Sequence, residues 1–389
     1  MLCVTTNWRI TDGTLAAGPS AGFVHRWRIG TQQAILRAGF GRDARYRPVE
    51  AAALVFAGDT FDWLLSREWL GETRPWHVGR RAAEVLERVA DRSFRRGRRL
   101  LATLASWSRH GVEVPGVDRH GRPAPGAGRR VPVRVTLLGG DRDAPLEQVV
   151  GRRAADRGIG VGCVWSTGQV SIRHGHEFDP LCDTTFGRPT LAESLAVDLI
   201  ARFAADAADD TGLGSRSPAL VRCLSGGSPA DAAGRLAEWL LSADGTSGAP
   251  SVRRALIDAW NRRVVAWHRI ARRLPPRGDA GVDVVDCLAE SLELEPGGPW
   301  RTASSHGRPD GAAPATGSVT IVGHAAGRHG ASSPSPSRRP AGVRALPGLG
   351  VEDDHAPTVR VVEFDRDAWV LEPLPMGPQG RPEPGAGGE

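Results

Sequence analysis

Five short stretches of this sequence carry side chains that bind metal ions or move protons, and four of them close an apolar, strand-like run. ALVFAGD ends in Asp59, VTLLGGDRD ends in Asp141 and Asp143, VSIRHGHEFD carries His174 and His176, and VTIVGH ends in His324. The fifth, NWRITDGTLA, places Asp12 soon after a β-branched N-terminal run. One polar residue at a strand end is ordinary turn chemistry, and Gly-Asp or Gly-Gly-Asp is a good turn. Carboxylates and imidazoles closing run after run imply a shared site. Parallel strands in one sheet bring their carboxyl ends to the same edge, where open α/β sheets place ligands. Mixed oxygen and nitrogen donors of this kind suit Zn, Mn or Fe.

The elements that must position these residues are legible as periodicities. Residues 2–6, 52–57 and 131–140 read as strands, 161–175 as a hairpin turning at Thr167-Gly168, 318–327 as strand and turn, and 358–374 as a hairpin turning near Asp365. Residues 75–109 follow a helical period that Gly97 breaks or kinks. A second helical region runs through 189–207, 228–244 and 251–274. The first of these opens on a Thr190/Glu193 capping box. Trp239, Trp260 and Trp267 fall on apolar faces there and read as core. Residues 110–130 are rich in turn formers and read as a loop, 328–350 as a flexible loop, and 376–389 as a disordered tail. The expected organisation is a core of 1–184 and 301–375, interrupted by a helical insertion at 185–300.

Composition narrows the class of protein. The chain has 389 residues, 40% of them hydrophobic, which supports a sizeable core. Its 50 basic residues outnumber 44 acidic ones, and all 50 are arginine, because the sequence contains no lysine. With so much Ala, Gly and Pro, that is a compositional bias, so the basic pI argues little for nucleic acid. The arginine run at 95–99 reads as a solvated helix face. Five scattered cysteines without a C-x-x-C pair fit reduced thiols in a cytoplasm. The N-terminus lacks the basic flank and apolar block of a signal peptide. No apolar run approaches the roughly 18 residues of a membrane span.

The order of these motifs resembles that of the calcineurin-like metallophosphoesterases. That family carries D-x-H, G-D-x-x-D/E, G-N-H/R-D/E, a lone His before Gly, and G-H-x-H. Here DGT (12–14), GDTFD (58–62), GDRD (140–143), HG (174–175) and GHAA (323–326) follow in the same order. The Arg in GDRD is closest in style to the UDP-diacylglucosamine pyrophosphatases, which also carry a helical insertion before the last motif. The resemblance implies an α/β sandwich of two mixed β-sheets flanked by helices. It makes Asp59 the bridging ligand, His174 and His324 ligands of one ion, and Asp141 an oxygen donor where the family has Asn. Arg142 would contact phosphate. Asp12 matches the first motif, but Thr14 and Ala326 stand where that ion's histidines belong. His176 and Asp179 match no family ligand and read as supporting or surface residues.

The implied activity is a metal-dependent phosphoester or pyrophosphate hydrolase. It would be impaired or limited to one divalent ion (Mn, Zn or Fe), with a phosphorylated small molecule or nucleotide-sugar-like substrate. The alternative is a catalytically inactive binding or regulatory protein on the same fold.

Overall fold

The run Ala52–Ala57 is apolar throughout because it is buried on both faces. This strand, β2, lies between β1 (Leu2–Thr5) and β5 (Val133–Leu138), parallel to each, with Leu54 opposite Cys3 and Val135. Alternate side chains feed two cores. Leu54 and Phe56 face one side, and Val55 and Ala57 face the other. The computed structural model describes residues 1–16, 18–40, 45–167, 170–185, 188–210, 217–225, 231–241, 250–274, 281–294, 319–322, 343–345, 360–365 and 368–373.

The protein is mixed α/β. A six-stranded sheet runs in the order β12-β11-β1-β2-β5-β6, with β6 at Gly160–Gly162, β11 at Arg360–Asp365 and β12 at Ala368–Pro373. β1, β2, β5 and β6 are mutually parallel, whereas the β11–β12 hairpin joins antiparallel. A second sheet runs β10-β9-β8-β7, with β7 at Val164–Thr167, β8 at Val170–Arg173, β9 at Val319–Val322 and β10 at Val343–Ala345. The two sheets meet through Val4, Val55, Ala57 and Leu138 on one side and Val170 and Ile172 on the other. The opposite face of the large sheet is covered by α1 (Ala21–Arg37), α2 (Arg80–Arg96), α3 (Arg98–His110) and α4 (Leu146–Ala155). Trp27, Val89, Leu104 and Trp107 pack there on Phe56 and Leu137. A fully buried Phe is worth about 2–3 kcal/mol of transfer free energy.

The helical region from Thr190 onward builds its own core. Thr190 and Glu193 form the expected capping box, each side chain bonding the other residue's backbone N–H at 3.1 and 2.8 Å. The helix then widens into a π segment, Leu195–Ala201, that is wholly buried. Trp260 is fully buried, edge-on to Phe203 at 5.1 Å, and donates its indole N–H to Leu292 O at 2.7 Å. Trp267 donates to Ser194 Oγ at 3.1 Å. These tryptophans and Trp239 are core, as their spacing predicts. The helices do not stand apart from the sheets. Ala196 and Val197 join the sheet-side core, Leu15, Ala16 and Leu65 join the helical core, and the buried Asp198 holds Arg74 at 3.0 Å.

Four stretches differ from the sequence expectation. Residues 110–130 are not a loop: Val112–Val117 (β3) and Pro123–Val131 (β4) pair antiparallel, with a bulge at Val114/Gly116. The turn formers hid alternating Val112 and Val114, which are buried. A Cβ on Gly116 would lie 2.0 Å from Ala127 O, so close strand approach itself requires the glycine. Helices α1 and α4 lie in segments without a clear sequence period. Within the stretch read as flexible, Val343–Ala345 pairs parallel to β9. The expected tail at 376–389 lies outside the described residues.

Candidate metal centre

The turn after β2 is built from two successive left-handed residues, Gly58 (φ 87°) and Asp59 (φ 50°). Aspartate tolerates this region better than most side chains, and glycine adopts it freely. Gly58 has a second reason to be glycine. A Cβ there would sit 2.2 Å from the His174 ring, so the imidazole lies flat against its backbone. Gly140 is constrained in the same way, since its Cβ would meet Asp59 Oδ1 at 2.2 Å and His174 Nδ1 at 3.0 Å. Glycines at both strand ends therefore let the side chains of β2, β5 and β8 close on one another. The centre is fed by two facing sheets rather than by one sheet edge.

A strap from the N-terminus completes it. Leaving β1, the backbone of Asn7, Arg9 and Ile10 donates to the carbonyls of Gly58, Asp59 and Thr60, and Ile10 O accepts from Asp62 N–H. Arg9 is thereby placed with Nη2 3.7 Å from Asp59 Oδ2. Asp143 ties the other two segments together. Its carboxylate accepts from Gly140 N–H at 2.7 Å and Phe61 N–H at 3.0 Å, while Asp59 Oδ1 accepts from Arg142 N–H at 3.1 Å.

His174 is 1% exposed and stands between two carboxylates. Its Nε2 faces Asp59 Oδ2 at 3.6 Å, and its Nδ1 faces Asp141 Oδ1 at 3.4 Å. His176 Nδ1 approaches the same His174 Nδ1 at 3.2 Å. Asp141, His174 and His176 each offer one ligand atom, all within 4.8 Å of one another. That spacing and donor set fit a divalent ion such as Zn or Mn with an open coordination position.

The electrostatics of the cluster are demanding. Asp59, Asp62, Asp141 and Asp143 are buried beside the buried guanidinium of Arg142 and that of Arg9, whose side chain is 14% exposed. If all are ionised, negative charge exceeds positive by two. Burial, then Asp141, pushes the Asp59 carboxyl well above its ordinary range. Burial also raises Asp143 to about 7, against the pull of its two backbone N–H donors. The Arg142 guanidinium moves up because Asp62, Asp141 and Asp59 outweigh its burial. Its Nη1 and Nη2 have no hydrogen-bond partner among the described residues. Over Asp141 and Arg142 the surface dips only slightly, into a space of about 10 Å³ lined by Trp63, Leu64, Pro75 and Arg188. That is room for about one water molecule.

Of the residues expected to form the site, the structure brings together Asp59, Asp141, Arg142 and His174. His324 lies outside the described residues. Asp12 is not part of the cluster. Its Oδ1 accepts from Thr14 N–H and Oγ–H at 2.9 and 2.7 Å, its Oδ2 accepts from Ser66 Oγ–H at 2.7 Å, and Arg92 stands 3.8 Å away. Thr-Asp-Gly-Thr is a turn whose carboxylate is already satisfied. Asp12→Ala should therefore cost about 1–3 kcal/mol in chemical denaturation, the penalty for orphaned buried donors. Its affinity for Mn²⁺ or Zn²⁺ in calorimetry should match that of the unmodified protein.

His176 joins the cluster although it was expected to play a supporting or surface part. Its only sequence signal was the H-G-H spacing across Gly175, a left-handed residue (φ 94°) that turns the chain back on itself. Arg9 was missed as a member, since nothing local marks an arginine in a polar strap as buried. Asp143 reads as a strand-end carboxylate beside Asp141, but the sequence reading gives it no part in the site.

No family model, curated protein or solved structure matches this chain.

Proposed function

We propose that this protein is a single-ion, metal-dependent phosphoester or pyrophosphate hydrolase of the metallophosphoesterase type. The carrying observation is the convergence of Asp141, His174 and His176 within ligating reach of one another, inside a cluster with an excess of buried negative charge. A divalent ion relieves that excess where protonation otherwise must. In this reading Asp141, His174 and His176 hold the ion, and Asp59 orients His174 from the other ring nitrogen. Partners of this kind commonly change metal affinity by 10–100-fold. The ion, when bound, supplies Lewis-acid polarisation of a phosphoryl oxygen. Arg142 turns its two unpartnered nitrogens to that group and stabilises charge on it. Asp143 and the Gly58 and Gly140 turns hold these groups in register.

The satisfied turn at Asp12–Thr14 supports one ion rather than two. The helical segment 185–300 serves as the cap. Arg235, on the helix Ala232–Leu241, is depressed to about 10 by its burial and, in smaller part, by the charges of Arg9 and Arg142. Because the opening over Asp141 is so small, substrate entry requires Trp63, Pro75 and Arg188 to part. The substrate is a phosphorylated small molecule, and the setting is the cytoplasm. None of the described helices is long and apolar enough to cross a membrane.

Metal analysis of the purified protein should give about one Mn, Zn or Fe per chain. The paired change His174→Ala with His176→Ala should remove the ion and any hydrolysis of an aryl phosphate ester. Two ions per chain, or an ion retained in the double variant, would contradict this assignment. A tightly bound ion without turnover on phosphate esters would favour the inactive binding protein.

A further inference from the structure

The strap that places Arg9 against Asp59 has another face. Trp8 and Ile10, the alternate residues, turn away from the carboxylates and floor a separate cleft of about 350 Å³. Val24 and Leu100 complete the floor, and all four are buried. Gly18, Pro19 and Ala21 form one wall. The rim is Arg95, Arg96, Arg98 and Arg99, and among the described residues no acidic side chain lines the cleft. The volume lies within the range of small-molecule sites, which span about 300–1,000 Å³.

Three features set this rim apart from a solvated helix face. First, the four guanidiniums have no ion pair or hydrogen bond to any other described residue, although Arg92, one turn earlier, pairs with Glu68 at 2.7 Å. Second, two of the four charges stand where the backbone disfavours them. Arg98 and Arg99 open α3, whose first turn has no acidic residue and whose N-cap, Gly97, supplies no side-chain bond. Positive charge at a helix N-terminus opposes the macrodipole, and an anion there relieves both. Third, the guanidiniums border an apolar floor, not open surface.

We infer that this cleft binds a soluble small molecule carrying a phosphoryl group on an apolar body, with Arg95, Arg98 and Arg99 and the start of α3 holding the phosphoryl group and Trp8, Ile10, Val24 and Leu100 the body. The arginines supply charge-assisted bonds in the fork geometry that phosphate accepts. The floor has few polar atoms to read a sugar or base, so the body is aliphatic or a plain ring. The site is distinct from the carboxylate cluster and does not depend on the hydrolase reading.

Isothermal titration of the full chain with octyl phosphate, below its micelle concentration, tests this. One molecule should bind per chain, with affinity falling as salt rises. Inorganic pyrophosphate and octanol should each bind at least about tenfold more weakly, since each lacks one half of the recognised chemistry. The triple variant Arg95→Gln, Arg98→Gln, Arg99→Gln keeps good helix formers on exposed positions and should lose about tenfold or more. Ala21→Trp, which fills the cleft from the exposed start of α1, should lose as much by a different route. Thermal melting of both variants separates lost binding from lost fold. Pyrophosphate binding as tightly as octyl phosphate would overturn the apolar part, and octanol binding as tightly would overturn the anionic part. Octyl phosphate affinity unchanged in both variants would overturn the site. Binding only to phosphatidic acid vesicles, with no soluble ligand bound, would overturn it in favour of a membrane surface.

Discussion

Asp59→Asn should raise the melting temperature of the metal-free protein by several degrees while weakening its affinity for Mn²⁺ or Zn²⁺ by about 10–100-fold. Asp59 is 1% exposed, sits at φ 50°, and faces Asp141 across the cluster. Burial, then Asp141, raises its pKa from 3.8, so its ionised form is disfavoured in the fold. A carboxyl whose folded pKa lies above its unfolded value costs stability as the pH rises from about 3.8 through the folded pKa. Asparagine removes that cost, keeps an oxygen to accept from Arg142 N–H, and tolerates the left-handed backbone. The gain should therefore be present at pH 8 and vanish at pH 4. Calorimetric melts at both pH values in chelator, with metal titrations alongside, check it. A melting temperature that falls at pH 8 would show that Asp59 is a stabilising residue and not one kept at a cost for ion binding.

Gly140→Ala should instead destabilise the fold, by about 3 kcal/mol or more, and abolish metal binding. The new Cβ would lie 2.2 Å from Asp59 Oδ1, 2.6 Å from the Asp59 backbone nitrogen and 3.0 Å from His174 Nδ1. None of these is the free end of a flexible chain. Both side chains are buried, and the nitrogen belongs to a turn whose carbonyl is bonded to Arg9 N–H at 2.9 Å. Overpacking of this kind costs about 1–3 kcal/mol, and more where the neighbours cannot yield. Gly58→Ala should be comparable, because a side chain at φ 87° adds backbone strain to contact with His174 at 2.2 Å. Gly151→Ala is the control. It lies within α4 with nothing near its Cβ, so it should gain up to about 1 kcal/mol in urea melts. Equal effects from all three changes would remove the close-approach explanation.

The central strands were legible because burial on both faces leaves a local mark. Ala52–Ala57 is a continuous apolar run, and its ends coincide with the strand. The Thr190/Glu193 box and the amphipathic helices after it are equally local, since capping and the 3.6-residue period act within a few residues. So is the break at Gly97, where α2 ends and α3 begins. From such signals the sequence by itself determined a mixed α/β protein with helices inserted late in the chain, and it marked Asp59, Asp141, Arg142 and His174 as strand-end residues.

Tertiary structure alone decided which polar residues meet. Asp12 and Asp59 each follow a strand signal, yet Ser66 and Thr14 satisfy one while the other faces His174. Arg9 is one of 50 basic residues in the sequence, and only the zipping of residues 7–10 onto 58–62 buries it beside Asp59. His176 enters the cluster through a left-handed turn at Gly175, and β3–β4 emerges from a stretch of turn formers because its two strands find each other. In each case the deciding energy comes from partners far along the chain, or from a turn whose sense the local sequence leaves open. Desolvation of a charge depends on what surrounds it in space, and no window of neighbouring residues carries that information.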